Sequence, residues 1–170
     1  KILKRKIYMK NYISKNEKIF VAGSSGMAGN AIVRSLKMAG YGDESYDGKL
    51  LTPKRNELNL LNPKDVKEWF QINKPSVVII AAAKVGGILA NSTLPYEFLL
   101  ENIKIQNNLI ENSWRNKVKR LLFLGSSCIY PKYAEQPIRE ESLLNGKLEE
   151  TNEFYAIAKI SGIKLCESLR

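Results

Sequence analysis

The sequence predicts an α/β fold with a doubly wound parallel sheet. β-branched apolar runs alternate with helical patterns along residues 18–170, which is the order that strand–helix–strand units produce. One run, residues 77–82, is apolar throughout, as a strand covered on both faces must be. A glycine-rich turn also follows the first run directly and opens a helix.

Ile19, Phe20, Val21 and Ala22 form the first short buried strand. A helix is expected from Met27 to Ala39, with Ile32, Val33, Leu36 and Ala39 on one face and Gly40 at its end. Lys49 to Thr52 is a weak second strand, with Asp43, Glu44 and Asp47 in the loop before it. Asn62 is placed to cap a helix whose first residue is Pro63 and which runs to about Asn73. After the strand at 77–82, a long helix is expected from about Pro95 to Asn116, then a strand from Arg120 to Leu124. Pro131 to Asn152 is polar and proline-bearing and reads as a loop; Glu153 to Leu169 is the last helix.

Composition narrows the chemistry. The chain has 170 residues, 44% of them apolar and 26% charged, as expected of one soluble domain with a substantial core. No apolar run reaches the ~20 residues of a membrane span, and no apolar segment follows the basic N-terminus as a secretory signal requires. Two distant cysteines, Cys128 and Cys166, give no disulfide framework and no metal spacing, so a reducing cytoplasm and no metal are expected. Histidine is absent, which leaves tyrosine, lysine, cysteine or a carboxylate for proton transfer. The net charge is +10 but is unevenly spread: seven bases and one acid fall in residues 1–18. Residues 1–17 are therefore expected to be a basic extension on a near-balanced domain at 18–170, with no nucleic-acid partner; a modest positive field favours phosphorylated ligands.

Gly23, Gly26 and Gly29, each three residues apart, follow a strand and open a helix. Gly23 allows the tight turn, Gly26 lets a pyrophosphate approach the backbone, and Gly29 lets the helix pack on the sheet. The first-turn N–H groups of that helix then face the phosphates, with Ser24, Ser25 and Met27 in the same loop. Beyond the second strand come Lys54 and Arg55 rather than a carboxylate. A base there accommodates a ribose 2′-phosphate, which favours NADP(H) over NAD and makes Arg55 the candidate ligand.

Tyr155 and Lys159 stand four apart in a helical pattern and share one face. An ammonium about 5 Å from a phenolate stabilises it by about 3 kcal/mol at an effective dielectric near 20, which brings a phenol that titrates near 10 closer to neutral pH. Such a tyrosine is a general acid for a ketone oxygen, and Ser126, at the end of the preceding strand, can hydrogen-bond the same carbonyl.

The glycine triplet, the strand-end serine and Tyr155-x-x-x-Lys159 together resemble extended short-chain dehydrogenase/reductases. Three longer runs, at 81–87, 122–132 and 151–159, are similar to the GDP-L-fucose synthase family within that group. The similarity covers residues 18–170, the first half of such an enzyme.

The resemblance implies a Rossmann-type NADP-binding domain with the C-terminal substrate lobe absent, and a full enzyme that converts GDP-4-keto-6-deoxy-D-mannose to GDP-L-fucose. It implies that Ser126, Tyr155 and Lys159 form the reductive triad, that Lys159 also binds the nicotinamide ribose, and that Cys128 is the base for epimerisation at C3 and C5. Asn59, Leu60 and Ala82 complete the implied cofactor-binding set, and Lys84 to Gly87 lies where sugar or cofactor is expected. A homodimer through the helices at 95–116 and 153–169 is also implied. The family's histidine acid partner has no counterpart here, and Ser24 and Ser25 stand where some relatives carry a base, so the NADP expectation leans on Arg55. This stretch alone is expected to turn over little. Two other readings remain open: an NAD-dependent nucleotide-sugar 4-epimerase or 4,6-dehydratase, against which Cys128 and the lack of an acid after the second strand speak, and a non-catalytic nucleotide- or RNA-binding module. Cys166 is expected to be a packing residue.

Overall fold

The computed structural model describes residues 13–170, apart from the side chain of Glu44. Residues 1–12 of the expected basic extension lie outside the described residues. Residues 13–17 lie against the domain: the Tyr41 hydroxyl donates to the Ile13 carbonyl at 2.9 Å, the Lys15 ammonium sits 3.7 Å from the centre of the Tyr41 ring, and Glu17 pairs with Lys119 at 2.7 Å.

Four strands form one parallel sheet: β1 (Lys18–Ala22), β2 (Lys49–Leu51), β3 (Val77–Ile80) and β4 (Arg120–Phe123), in the order β2-β1-β3-β4. Five helices connect or follow them: α1 (Met27–Met38), α2 (Pro63–Asn73), α3 (Ile88–Thr93), α4 (Pro95–Arg115) and α5 (Glu153–Ser168). The doubly wound parallel sheet read from the sequence is the architecture observed. Element ends differ by one or two residues: β3 stops at Ile80, although the Ala81 N–H still reaches the Ala22 carbonyl. The polar stretch 131–152 is a loop with two short 3-10 turns, at Glu140–Ser142 and Glu150–Asn152.

The sheet's alternation divides the core in two. Phe20, Val78 and Ile80 point to one face, where they meet Val66 and Phe70 of α2 and Leu109 and Ile110 of α4. Trp69 lies against Phe20 with ring centres 4.3 Å apart, and Phe70 meets Phe20 edge-on at 5.9 Å. Ile19, Val21, Val77 and Ile79 point to the other face and are covered by Ile32, Val33 and Leu36 of α1. All four residues of β3 are buried, which accounts for its unbroken apolar sequence. Three of the four strands begin on basic residues, Lys18, Lys49 and Arg120, so basic side chains gather at the rim opposite the strand exits.

Asn62 caps α2 as its sequence position implies: its side-chain oxygen accepts from the Lys64 N–H at 3.0 Å and from Asp65 at 3.5 Å, with Pro63 at the first helical position. Replacing Asn62 by Ala should cost about 1 kcal/mol, and by Gly only a few tenths, as read from urea unfolding midpoints at constant slope.

Candidate functional site

In a sheet ordered β2-β1-β3-β4, the connections leave β1 and β3 in opposite directions, and a crevice opens beyond their ends. The glycine loop leaves β1 there with Gly23 at φ +82°, a conformation that favours glycine. A Cβ on Gly23 would fall 2.6 Å from the Ala82 nitrogen, so the exits of β1 and β3 touch backbone to backbone. Gly29, on the first turn of α1, sits on the loop it follows; a Cβ there would fall 2.1 Å from the Gly23 carbonyl oxygen. Gly26 differs: a Cβ would meet nothing nearer than that same oxygen at 3.4 Å. Nothing in the protein's own packing forbids a side chain at 26, and the space in front of it is open.

That space is a cleft of about 640 Å³. Gly23, Ser25, Gly26, Met27 and Gly29 line one wall; Arg55, Asn59 and Leu60, from the turn after β2, line another; Ala82 and Lys84 close the third. Ten of the eleven residues expected to bind the cofactor were assigned to this loop and these exits, with Lys159 the exception, and of those ten only Ser24 does not line the cleft; it is half-buried, with its Cα against Gly29. The N-cap of α1, Gly26, supplies no side-chain hydrogen bond, so the first turn's N–H groups are left to whatever enters the cleft. An uncapped helix start, an exposed Arg55 and a volume suited to a drug-sized or larger ligand fit a dinucleotide with a charged ribose.

The second group of expected residues lies one strand over, at the exit of β4. Ser126 is in extended conformation and opens a 3-10 turn, Ser127–Ile129, that carries Cys128. The Cys128 thiol donates to the Ser126 hydroxyl at 3.2 Å. Tyr155 and Lys159, from α5, face the same turn. Lys159 is 3% exposed, and its ammonium donates to the Leu124 carbonyl at 2.9 Å, 4.7 Å from the Phe123 ring centre and 5.8 Å from that of Tyr155. The structure therefore brings Ser126, Cys128, Tyr155 and Lys159 together. None of the four lines the 640 Å³ cleft.

The electrostatics depart from the sequence expectation. Burial pushes the Tyr155 phenol above its usual range, and negative charge on Cys128 pushes the same way, while a hydrogen bond with Ser126 opposes both. The lowering expected from Lys159 does not set the phenol, because the cost of burial outweighs it; the ammonium itself is bonded to the Leu124 carbonyl. Burial also drives Lys159 itself down, against the opposing pull of Cys128. Cys166 packs on the main core and is pushed up by burial, which agrees with a packing role.

Sequence reasoning gave α4 only a place in the implied homodimer, yet three of its residues reach the site. Phe98 meets the Tyr155 ring edge-on at 6.4 Å between centres. Asn102, 3% exposed, accepts from the Lys84 N–H at 2.8 Å and donates to the Lys84 carbonyl at 3.0 Å. Gln106, 2% exposed, donates to the Ala158 carbonyl at 2.8 Å. The signal was available: two amides four residues apart, in line with Phe98 and the apolar Leu109–Ile110 pair. The short helix α3 was also missed; its six residues are too few for a periodicity to register.

Residues 19–170 match the NAD dependent epimerase/dehydratase family. The chain belongs to this family. Among its relatives are the GDP-L-fucose synthase of Sinorhizobium fredii, 52% identical over 162 residues, which are 95% of this chain and 49% of that protein. The GDP-L-fucose synthase of Escherichia coli is 51% identical over 152 residues, 89% of this chain and 46% of that one. Among solved structures, MlghC, a GDP-mannoheptose C4 reductase from Campylobacter jejuni with NADP bound, superposes with a TM-score of 0.84 at 39% identity, covering 92% of this chain and 48% of that one. The chain thus spans about half the length of the curated relatives it matches. Among the described residues no helix is long and apolar enough to cross a membrane.

Gly26 and Gly29 separate by experiment. Gly29→Ala should destabilise the fold by about 3 kcal/mol or more, because the obstacle is backbone, while Gly26→Ala should stay within about 1 kcal/mol. Thermal unfolding of the two variants checks both.

Proposed function

We propose that this chain forms the NADP-binding half of a GDP-L-fucose synthase, an enzyme that converts GDP-4-keto-6-deoxy-D-mannose to GDP-L-fucose. The observation that carries the reading is the gathering of Ser126, Cys128, Tyr155 and Lys159 at the β4 exit, beside a glycine-lined cleft that ends in Arg55. The names of relatives at 51–52% identity support the substrate, and an NADP-bound structural relative supports the cofactor.

In this reading Gly23, Ser25, Gly26, Met27 and Gly29 hold the diphosphate, Arg55 holds the 2′-phosphate, and Asn59, Leu60 and Ala82 line the rest. When bound, the cofactor supplies the hydride that reduces C4. Tyr155 gives its proton to the C4 oxygen, for which a phenol kept protonated by burial is well suited. Ser126 hydrogen-bonds that oxygen. Lys159 fixes α5 to the β4 exit through Leu124 and presents its ammonium to the ribose. Cys128 removes the protons beside the keto group, at C3 and C5, before reduction, and an acid not supplied by the described residues returns a proton to the opposite face of each carbon. Its neighbour Ser126 places this base on the carbonyl side of the site. The second protomer of a homodimer would pack on α4 and α5, and the enzyme would work in the cytoplasm.

In the full-length enzyme NADPH should bind at least about tenfold more tightly than NADH, and Arg55→Ala should remove most of that difference, since a charge-assisted phosphate contact contributes about 1.5–3 kcal/mol. Fluorescence titration with both cofactors measures this; equal affinities in the parent protein would defeat the NADP assignment. Cys128→Ser should abolish epimerisation while sparing cofactor binding. Product stereochemistry unchanged from the parent's, followed by NMR, would remove Cys128 from the role of epimerising base.

A further inference from the structure

α4 carries a buried stripe at residues 98, 102 and 106, one helical turn apart, that touches three separate parts of the site. Phe98 braces the ring of Tyr155. Asn102 grips both backbone polar groups of Lys84, at the exit of β3, and gives its remaining hydrogen bond to the Phe98 carbonyl. Gln106 reaches across to α5. Its amide donates to the Ala158 carbonyl and to the Ser161 hydroxyl, both at 2.8 Å, and Ser161 donates in turn to the Ala158 carbonyl at 2.7 Å. Ala158 is the residue immediately before Lys159. The contact is close on every side: a Cβ on Gly162 would fall 2.8 Å from the Gln106 oxygen and 2.6 Å from the Phe123 ring.

We propose that Gln106 is a positioning residue that sets the height and rotation of Tyr155 and Lys159 relative to the cleft, acting through the Ala158 carbonyl. The inference rests on the reading of those two residues as the reducing pair. Its physical basis is that a buried amide has no water to fall back on, so its bonds define one arrangement of the two helices. Asn102, on the same face of the same helix, fixes the β3 exit against α4. The cleft wall and the reducing pair are thereby referred to a single rigid element. Cys128 and Lys159 are the titratable groups that act on or lie beside Tyr155 in this arrangement, and α4 presents the Phe98 ring to it.

The test is Gln106→Met in the full-length enzyme, which keeps length and bulk and removes both hydrogen bonds. With the anchor gone, α5 loosens, water reaches the phenol, and Tyr155 should titrate lower, toward the ordinary tyrosine range. Ring-labelled tyrosine NMR follows this, with Tyr155→Phe to assign the signal. Turnover should fall about tenfold or more from misplacement, while NADPH affinity stays within about twofold. Leu109→Ala, a cavity in the same helix, should lower thermal stability and leave the phenol titration where it was. A Gln106→Met protein that loses stability but keeps the parent's Tyr155 titration and turnover would overturn the proposal. Should that variant not fold, Ser161→Ala removes one of the amide's two partners and faces the same titration criterion. Absence of NADPH-dependent turnover in the parent protein would count against the proposed function alone, because the phenol titration decides the positioning role without it.

Discussion

The whole site depends on how closely three backbone segments meet at the ends of β1 and β3. The Gly23 carbonyl supports Gly29 from below, and Gly23 itself abuts the Ala82 peptide, with no space for a methyl group at either contact. This closeness directs the start of α1 into the crevice between the two strand exits. A helix start displaced by the width of a side chain would aim its free N–H groups past the cleft rather than into it. Gly26, under no such pressure from the protein, is the position whose smallness serves a ligand.

Much of this was legible in the chain because it rests on local chemistry. The Asn62-Pro63 cap, the unbroken apolar β3 and the glycine spacing each encode their structure within a few residues. The pairing of Tyr155 with Lys159 was legible in the same way, as a helical spacing. What was not legible is where the lysine's hydrogen bond goes. The Leu124 carbonyl lies 35 residues away in sequence, and the burial that goes with this packing pushes the phenol up rather than down. The roles of Asn102 and Gln106 were hidden for a similar reason: a buried amide in a helix carries no local mark of which distant carbonyl it serves.

The ionisation of Tyr155 and Lys159 follows from burial more than from charge. Both Tyr155 and Lys159 are pushed toward their neutral forms, the phenol up and the ammonium down. Such a pair is held as a proton donor by desolvation. Family members that share the spacing but bury it less deeply would be set differently by the same four residues.

All of the chemistry named above sits at the strand exits, whereas Lys18, Lys49 and Arg120 mark the opposite rim of the sheet. A parallel sheet separates these two rims by the length of its strands. A change of charge on the basic rim is therefore kept a strand's length from the contacts that Gly23, Gly29 and Ala82 make on the other.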